Sequence, residues 1–287
     1  MRHVETIKLP ERWPEEYYKD DNGYYRVFYK QWWDESKSQL KSYTAYGVGH
    51  ENLREAWVNK TWDRNGNPIY VHTFKRDENG KGQRHGIFEE WYPGGQKKIE
   101  SVYVNDHQRS SKWWNRKGVL KSESIDSGTA AWEKTYYDNG TPSEERNYGY
   151  DMENGWRLEH GVTKWYRKNG TLSSESNYVN GKLDGTMVRY DKQGRKREMY
   201  TFKKGKKNGP HRVWDENGLL VTEINYKNDD LDGVAKHYRD GKLVSEVGYK
   251  NDEYHGDFKE YRPNGTLKSH HVYENGKLVK TIKDSWF

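Results

Sequence analysis

The sequence predicts an all-β protein, an elongated antiparallel meander of about nine to ten β-hairpin repeats with a period of about 24 residues. Three observations carry that prediction. Glycines recur at near-constant spacing, aromatic residues keep phase with them, and the composition is rich in rings but poor in aliphatic side chains.

The glycines set the register. Gly66, Gly95, Gly118, Gly140, Gly170, Gly194, Gly218, Gly241 and Gly265 follow one another mostly at 22–24 residues, with 29 before Gly95 and 30 before Gly170. We term these the turn glycines. A second set, Gly86, Gly161, Gly185, Gly209, Gly233 and Gly256, stands eight or nine residues before its partner.

Aromatic residues occupy two fixed slots. Four residues before the turn glycine stand the leading rings Trp62, Trp91, Trp114, Tyr136, Tyr166, Tyr190, Trp214 and Tyr261, with Tyr238 three before Gly241. Eight residues after it stand the trailing rings Phe74, Tyr103, Tyr148, Tyr178, Phe202, Tyr226, Tyr249 and Tyr273. Asp126 takes that slot in the Gly118 unit.

Each unit therefore reads as strand, turn, strand. Asn-Gly alone suits a two-residue type I′ turn, but Pro93 and Pro263 stand two before the glycine, where type I′ would leave them in a strand. A type I turn accepts proline there, and the glycine that follows makes a β-bulge. In that register the leading ring faces the residue two after the glycine, which is Leu120, Leu172, Leu220, Leu243 or Leu267. Alternation then predicts leading and trailing rings on one face. The other face would carry Glu100, Glu123, Glu145, Glu175, Glu223 and Glu246, read as a solvated row paired with lysines rather than a cation site.

Composition bounds the function. The chain has 287 residues, no cysteine, 31% apolar residues and 15% aromatics, with 13 Trp and 24 Tyr. Disordered chains lack so many rings, so the polarity implies a thin, surface-rich fold. Without cysteine there is no disulfide framework, thiolate zinc site or cysteine nucleophile. No stretch reaches membrane-span length and the opening residues carry no apolar run, so a cytoplasmic location is expected. Net charge is +6, with 50 basic against 44 acidic residues, too balanced for a general nucleic-acid groove.

Residues 1–50 fall outside the register and read as an irregular N-terminal cap or a degenerate hairpin around Trp33. Residues 51–275 form the repeat domain, lengthened at one junction by the insert Tyr148–His160. Residues 276–287 read as a closing half-repeat whose lysines would discourage edge-to-edge pairing.

The unit, clearest from Gly161 to Gly276, resembles the variant MORN repeat of the YwqK-type bacterial proteins. That resemblance covers about residues 50–280 and implies an elongated sheet of hairpins and an antitoxin or immunity protein that neutralises a cognate toxin. Related MORN proteins imply a second role, a scaffold at anionic phospholipid.

Catalysis is not expected. His85, His160 and His255 each precede a glycine of the second set, in a slot otherwise held by Asp184, Asn208 and Asp232, which is turn chemistry. No nucleophile elbow, phosphate loop or metal-spaced cluster appears, and neither cofactor nor metal is expected. The leading and trailing rings read as core. Rings outside those slots, Trp57, Trp113, Trp132, Trp156 and Trp165, are the candidate partner-binding residues. The densest charge, Lys192, Arg195, Lys196, Arg197, Lys203, Lys204, Lys206 and Lys207, is the candidate anion or phosphate site. The expected partner is a protein, most specifically a toxin; an anionic lipid surface or a carbohydrate are the alternatives.

Overall fold

The computed structural model describes residues 5–8, 16–20, 23–36, 39–48, 56–151 and 153–284. It divides into two units, residues 1–140 and 141–287. Among the described residues there is no helix, and every strand pairing is antiparallel.

The first unit opens with β1 (Glu5–Lys8), β2 (Glu16–Asp20), β3 (Gly23–Trp32) and β4 (Leu40–Val48). It continues through β5 (Ala56–Trp62), β6 (Pro68–Arg76), β7 (Gly82–Trp91), β8 (Lys97–Val104), β9 (His107–Trp114), β10 (Leu120–Asp126) and β11 (Ala130–Tyr136). Each strand pairs with the next, as a meander requires.

The second unit begins with β12 (Pro142–Tyr150), β13 (Arg157–Glu159), β14 (Gly161–Tyr166), β15 (Leu172–Val179), β16 (Lys182–Tyr190), β17 (Lys196–Lys203) and β18 (Lys206–Lys207). It goes on through β19 (Gly209–Trp214), β20 (Leu220–Lys227), β21 (Asp230–Leu231), β22 (Gly233–Arg239) and β23 (Lys242–Lys250). It closes with β24 (Glu253–Tyr261), β25 (Leu267–Glu274) and β26 (Lys277–Lys283).

The predicted bulged turn is present. The Gly66 N–H donates to Asp63 O at 3.1 Å and the Asp63 N–H donates to Asn67 O at 2.8 Å, leaving Gly66 at φ +81°. Gly95, Gly118, Gly170, Gly194, Gly218 and Gly265 repeat the pattern. Asp63, Asp191 and Asp215 fix their turns further, each carboxylate accepting two backbone N–H groups.

Gly241 is the exception. Asp240 and Gly241 both have positive φ (50° and 73°) and close a two-residue type I′ loop, with Arg239 facing Lys242. That shorter turn is why Tyr238 stands three rather than four residues before its glycine. The junctions between units use the same turn at Asn105–Asp106, Asn180–Gly181, Lys204–Gly205, Asn228–Asp229, Asn251–Asp252 and Asn275–Gly276. The two long spacings also resolve. An extra bulged turn at Asp77–Gly80 lengthens one, and the Asp151–Trp156 loop the other.

The expected single aromatic face is wrong, and a second bulge explains why. After the leading ring pairs with the residue two past the glycine, the register slips by one: Tyr166 faces Leu172, but Trp165 faces Ser174. The same slip recurs at Tyr190, Trp214, Tyr238 and Tyr261. An extra residue reverses the alternation for the rest of the strand. Leading and trailing rings consequently lie on opposite faces, and the glutamates share the leading face. Tyr190 Oη donates to Glu175 at 2.7 Å, Tyr166 Oη to Glu145 at 3.0 Å, and Tyr261 Oη to Glu246 at 3.1 Å.

The rings themselves are half-buried. The fully enclosed side chains are small: Val58, Ala131, Val188, Ala235 and Val247, with Ser101, Thr163, Ser176 and Ser269. Only small groups are covered from all sides by neighbouring strands, while rings lie flat over them and keep one surface wet.

The second glycine set marks the junction bulges, with φ of +86° to +115°. A Cβ on Gly185 would stand 3.1 Å from that of Asn177. The space admits Asn177, whose Nδ2 donates to Thr186 O at 3.0 Å. Asn147, Asn225, Thr201 and Thr73, each seven residues after its turn glycine, make the same bond to Val162, Val234, Pro210 and Ile87. Backbone carbonyls at the bulges are thus satisfied by side chains.

Candidate binding surface

That recurrent slot is filled differently after four turn glycines: Gly248 and Val272 take it in the second unit, and two apolar residues take it in the first. Seven residues after Gly95 and Gly118 stand Val102 and Ile125, which cannot make the carbonyl bond. They are 38% and 59% exposed. Cross-strand pairing extends them into a row on the leading face: Ile87 faces Val102, Val102 faces Ser110, Ser110 faces Ile125, and Ile125 faces Trp132. The row runs at right angles to β7–β11. Val102 and Ile125 thus stand exposed in one line across the sheet, in the slot where the second unit carries Asn147, Asn177, Thr201, Asn225, Gly248 and Val272.

One end of the row opens into a cavity of about 800 Å³, lined by Val58, Val71 and Ile87 with Lys60, Glu89, Lys97 and Glu100. Lys97 Nζ lies 2.8 Å from Glu89 and 2.7 Å from Glu100. Burial works against the Lys97 charge, but the bonds to Glu100 and Glu89 outweigh it and hold its pKa above the usual lysine value. The floor is therefore apolar and its charges are internally matched.

The trailing face of the same unit carries a smaller cavity of about 280 Å³, bounded by His72, Phe88, Ile99, Tyr103, Gln108 and Trp113. Its rings pack in series, His72 on Phe88 at 4.2 Å and Phe88 on Tyr103 at 4.9 Å. Burial lowers the His72 pKa against the opposing pull of Glu90.

The five candidate tryptophans do not form one site. Trp57 is half-buried, stacked on Phe74 at 5.1 Å, and closes over Gly82, where a Cβ would meet it at 2.5 Å. Trp113, 38% exposed, borders the trailing-face cavity. Trp132 ends the apolar row on the leading face. In the second unit Trp165 is half-buried on the trailing face, while Trp156, 69% exposed, stands at the end of the Asp151–Trp156 loop.

The basic cluster is likewise divided. Lys192, Arg195, Lys196 and Arg197 surround the Gly194 turn, and Lys203, Lys204, Lys206 and Lys207 surround the opposite junction turn. The two groups lie toward opposite ends of β17, with Arg197 and Lys203 about 20 Å apart at the usual strand rise. Arg195 is bound to Asp191 at 2.8 Å, and Lys207 lies over the Tyr226 and Tyr200 rings at 4.8 and 5.1 Å. Contiguity in sequence is not contiguity on the sheet.

Between those ends the trailing face holds a connected polar group. Glu198 accepts from Tyr200 Oη at 2.7 Å, lies 3.1 Å from His211 Nε2 and accepts from Arg189 at 2.9 Å. His211 stacks on Tyr200 at 4.0 Å. Burial and the Glu198 carboxylate push the Tyr200 phenol up to about 12. Among the described residues no set of three or more metal-ligating side chains converges, and no helix is long and apolar enough to cross a membrane.

Five segments of the chain match the family described as the MORN repeat variant: residues 84–105, 133–149, 159–180, 207–228 and 254–275. Four of them run from eleven residues before a turn glycine to ten after it, which is one hairpin from junction to junction. Those five segments are thus similar to the variant MORN repeat, and in the structure they fall on hairpins of the meander. No curated protein matches the chain.

Val102 and Ile125 escape a reading that looks for aromatics. The signal for them is the slot seven after the turn glycine, where an apolar residue replaces the Asn or Thr that other units use to bond the backbone.

Proposed function

We propose that this chain is a non-enzymatic protein-binding module, and more specifically an antitoxin or immunity protein that occludes a cognate toxin. The observation that supports it is the leading face of the first unit. There Val102 and Ile125 stand exposed beside a cavity of about 800 Å³. A preformed groove with an apolar floor and self-neutralised charges suits a protein surface better than a polyanion. The toxin reading rests in addition on the resemblance to the YwqK-type proteins. A single lipid-facing patch is less well served, because the lysines and arginines lie at opposite ends of β17.

The test is capture of a partner by the tagged full chain from its native cell extract, followed by co-expression of chain and partner. The expected result is a toxic partner whose harm is relieved by the chain. Val102→Glu and Ile125→Glu should each abolish that relief while leaving the melting temperature unchanged. A partner bound with equal affinity by both variants would exclude this face, and failure of co-expression to protect would exclude the antitoxin role.

A further inference from the structure

Every residue of β26, from Lys277 to Lys283, is exposed. Leu278, Val279 and Ile282 are 53%, 56% and 52% exposed. β25 is the one described strand that pairs with β26, which leaves the other edge of β26 open among the described residues.

The strand reads KLVKTIK, three lysines and no acid. Lysines spaced by three would alternate between faces in a regular strand. Two bulges cancel that alternation. Lys277 faces Glu274, Lys280 faces Val272 and Lys283 faces His270, which are every second residue of β25. All three ammonium groups therefore stand on one face, while Leu278 and Thr281 share the other with Tyr273 and His271. The bulges leave Val279 and Ile282 without cross-strand partners. Charges nearby neutralise the row only in part, Asp284 following Lys283 directly. Glu274 lies opposite Lys277, Asp257 is taken by His270 and Lys259, and Lys283 donates to Leu267 O at 2.7 Å.

We propose that the open edge of β26 receives an extended acidic segment of a partner protein as an added strand. Its carboxylates would stand at alternate positions over Lys277, Lys280 and Lys283. Main-chain bonds along the edge supply affinity, and the one-sided lysine row supplies selectivity. The same row rejects a second copy, because KLVKTIK paired with itself sets lysine against lysine. This inference rests on the reading of the chain as a protein-binding module and names one place where a partner docks.

The test is fluorescence anisotropy of the full chain with two seven-residue peptides, one alternating Val with Glu and the other Val with Lys. The acidic peptide should bind at least about tenfold more tightly, and added salt should weaken it. In the triple variant Lys277→Glu, Lys280→Glu, Lys283→Glu the preference should invert. Should that variant not melt like the parent, Lys280→Glu alone should still reduce acidic-peptide binding. Equal binding of both peptides, binding of neither, an unchanged preference in the variant, or self-association through β26 in sedimentation would overturn the proposal. If the edge fails while a native partner is still captured, this inference falls and the binding module stands.

Discussion

Thr163 is 1% exposed and its hydroxyl has no hydrogen-bond partner. A buried, unpaired hydroxyl costs stability that an isosteric methyl does not, so Thr163→Val should raise the unfolding free energy by about 1 kcal/mol in urea denaturation. Gly185 presents the opposite case. Its φ of +107° and the 3.1 Å approach of Asn177 mean that Gly185→Ala strains the backbone and displaces the side chain that bonds Thr186. A loss of about 2 kcal/mol is expected, against about 1 kcal/mol for Asn177→Ala, which deletes only the bond. His211 makes stability depend on pH. Burial lowers its pKa, opposed by Glu198 and assisted by Lys207, so the folded state favours the neutral ring. The unfolded chain binds that proton more readily. Stability is therefore full above about pH 6.5 and falls as pH drops toward the lowered folded value. Glu198 adds its own loss at lower pH, since the bonds from Tyr200 and His211 outweigh its burial and keep it ionised. His211→Gln should flatten the decline between pH 6.5 and the carboxylate range, as read from urea midpoints across pH; an unchanged slope would remove His211 as its source.

Hairpin turns were the most legible elements, because each leaves a residue signature. Pro93 and Pro263 exclude type I′ at their own turns, and the three-residue offset of Tyr238 already marked the Gly241 loop as different. The second bulge left no such mark. Its extra residue is Ile69, Lys98, Lys121, Ser173, Arg197, Val221, Val244 or Lys268, with no common chemistry, since it needs no positive φ and faces no fixed partner. One unsigned residue per hairpin was enough to reverse the assignment of faces. Tryptophans outside the two aromatic slots are hard to assign from sequence for a related reason. A ring such as Trp57 outside the aromatic slots can still be scaffold when a neighbour, here Gly82, leaves room for it. The corrected faces carry their own prediction. Tyr166 and Glu145 now share a face and a hydrogen bond, and burial with that carboxylate pushes the phenol up to about 12. Tyr166→Phe should cost about 1 kcal/mol, and a cycle with Glu145→Gln should show coupling. Additive losses would mean that the pair does not interact and would return the glutamates to the opposite face.

Within each unit strands bond to strands one or two places away in sequence, and few residues are enclosed from all sides. A fold of that kind has no central core to distribute a perturbation. Its stability approximates a sum of hairpin terms and nearest-neighbour interfaces, as in other repeat proteins. Opening should therefore be local, with free energies that differ along the chain. Gly185→Ala provides the probe, because it weakens the junction between β15 and β16 without touching charge or turn type. Amide exchange followed by mass spectrometry should quicken in β15–β17, where Asn177, Thr186 and Phe202 lie. Exchange in β24 and β25, several strands away in the same unit, should keep its parental rate. Equal acceleration in both places would mean that the unit opens as one body, and the nearest-neighbour description would fail. Local opening also bears on binding. The leading face of β7–β11 would then hold its row of Val102 and Ile125 regardless of damage in the second unit, so capture of a partner through that row should survive Gly185→Ala unchanged.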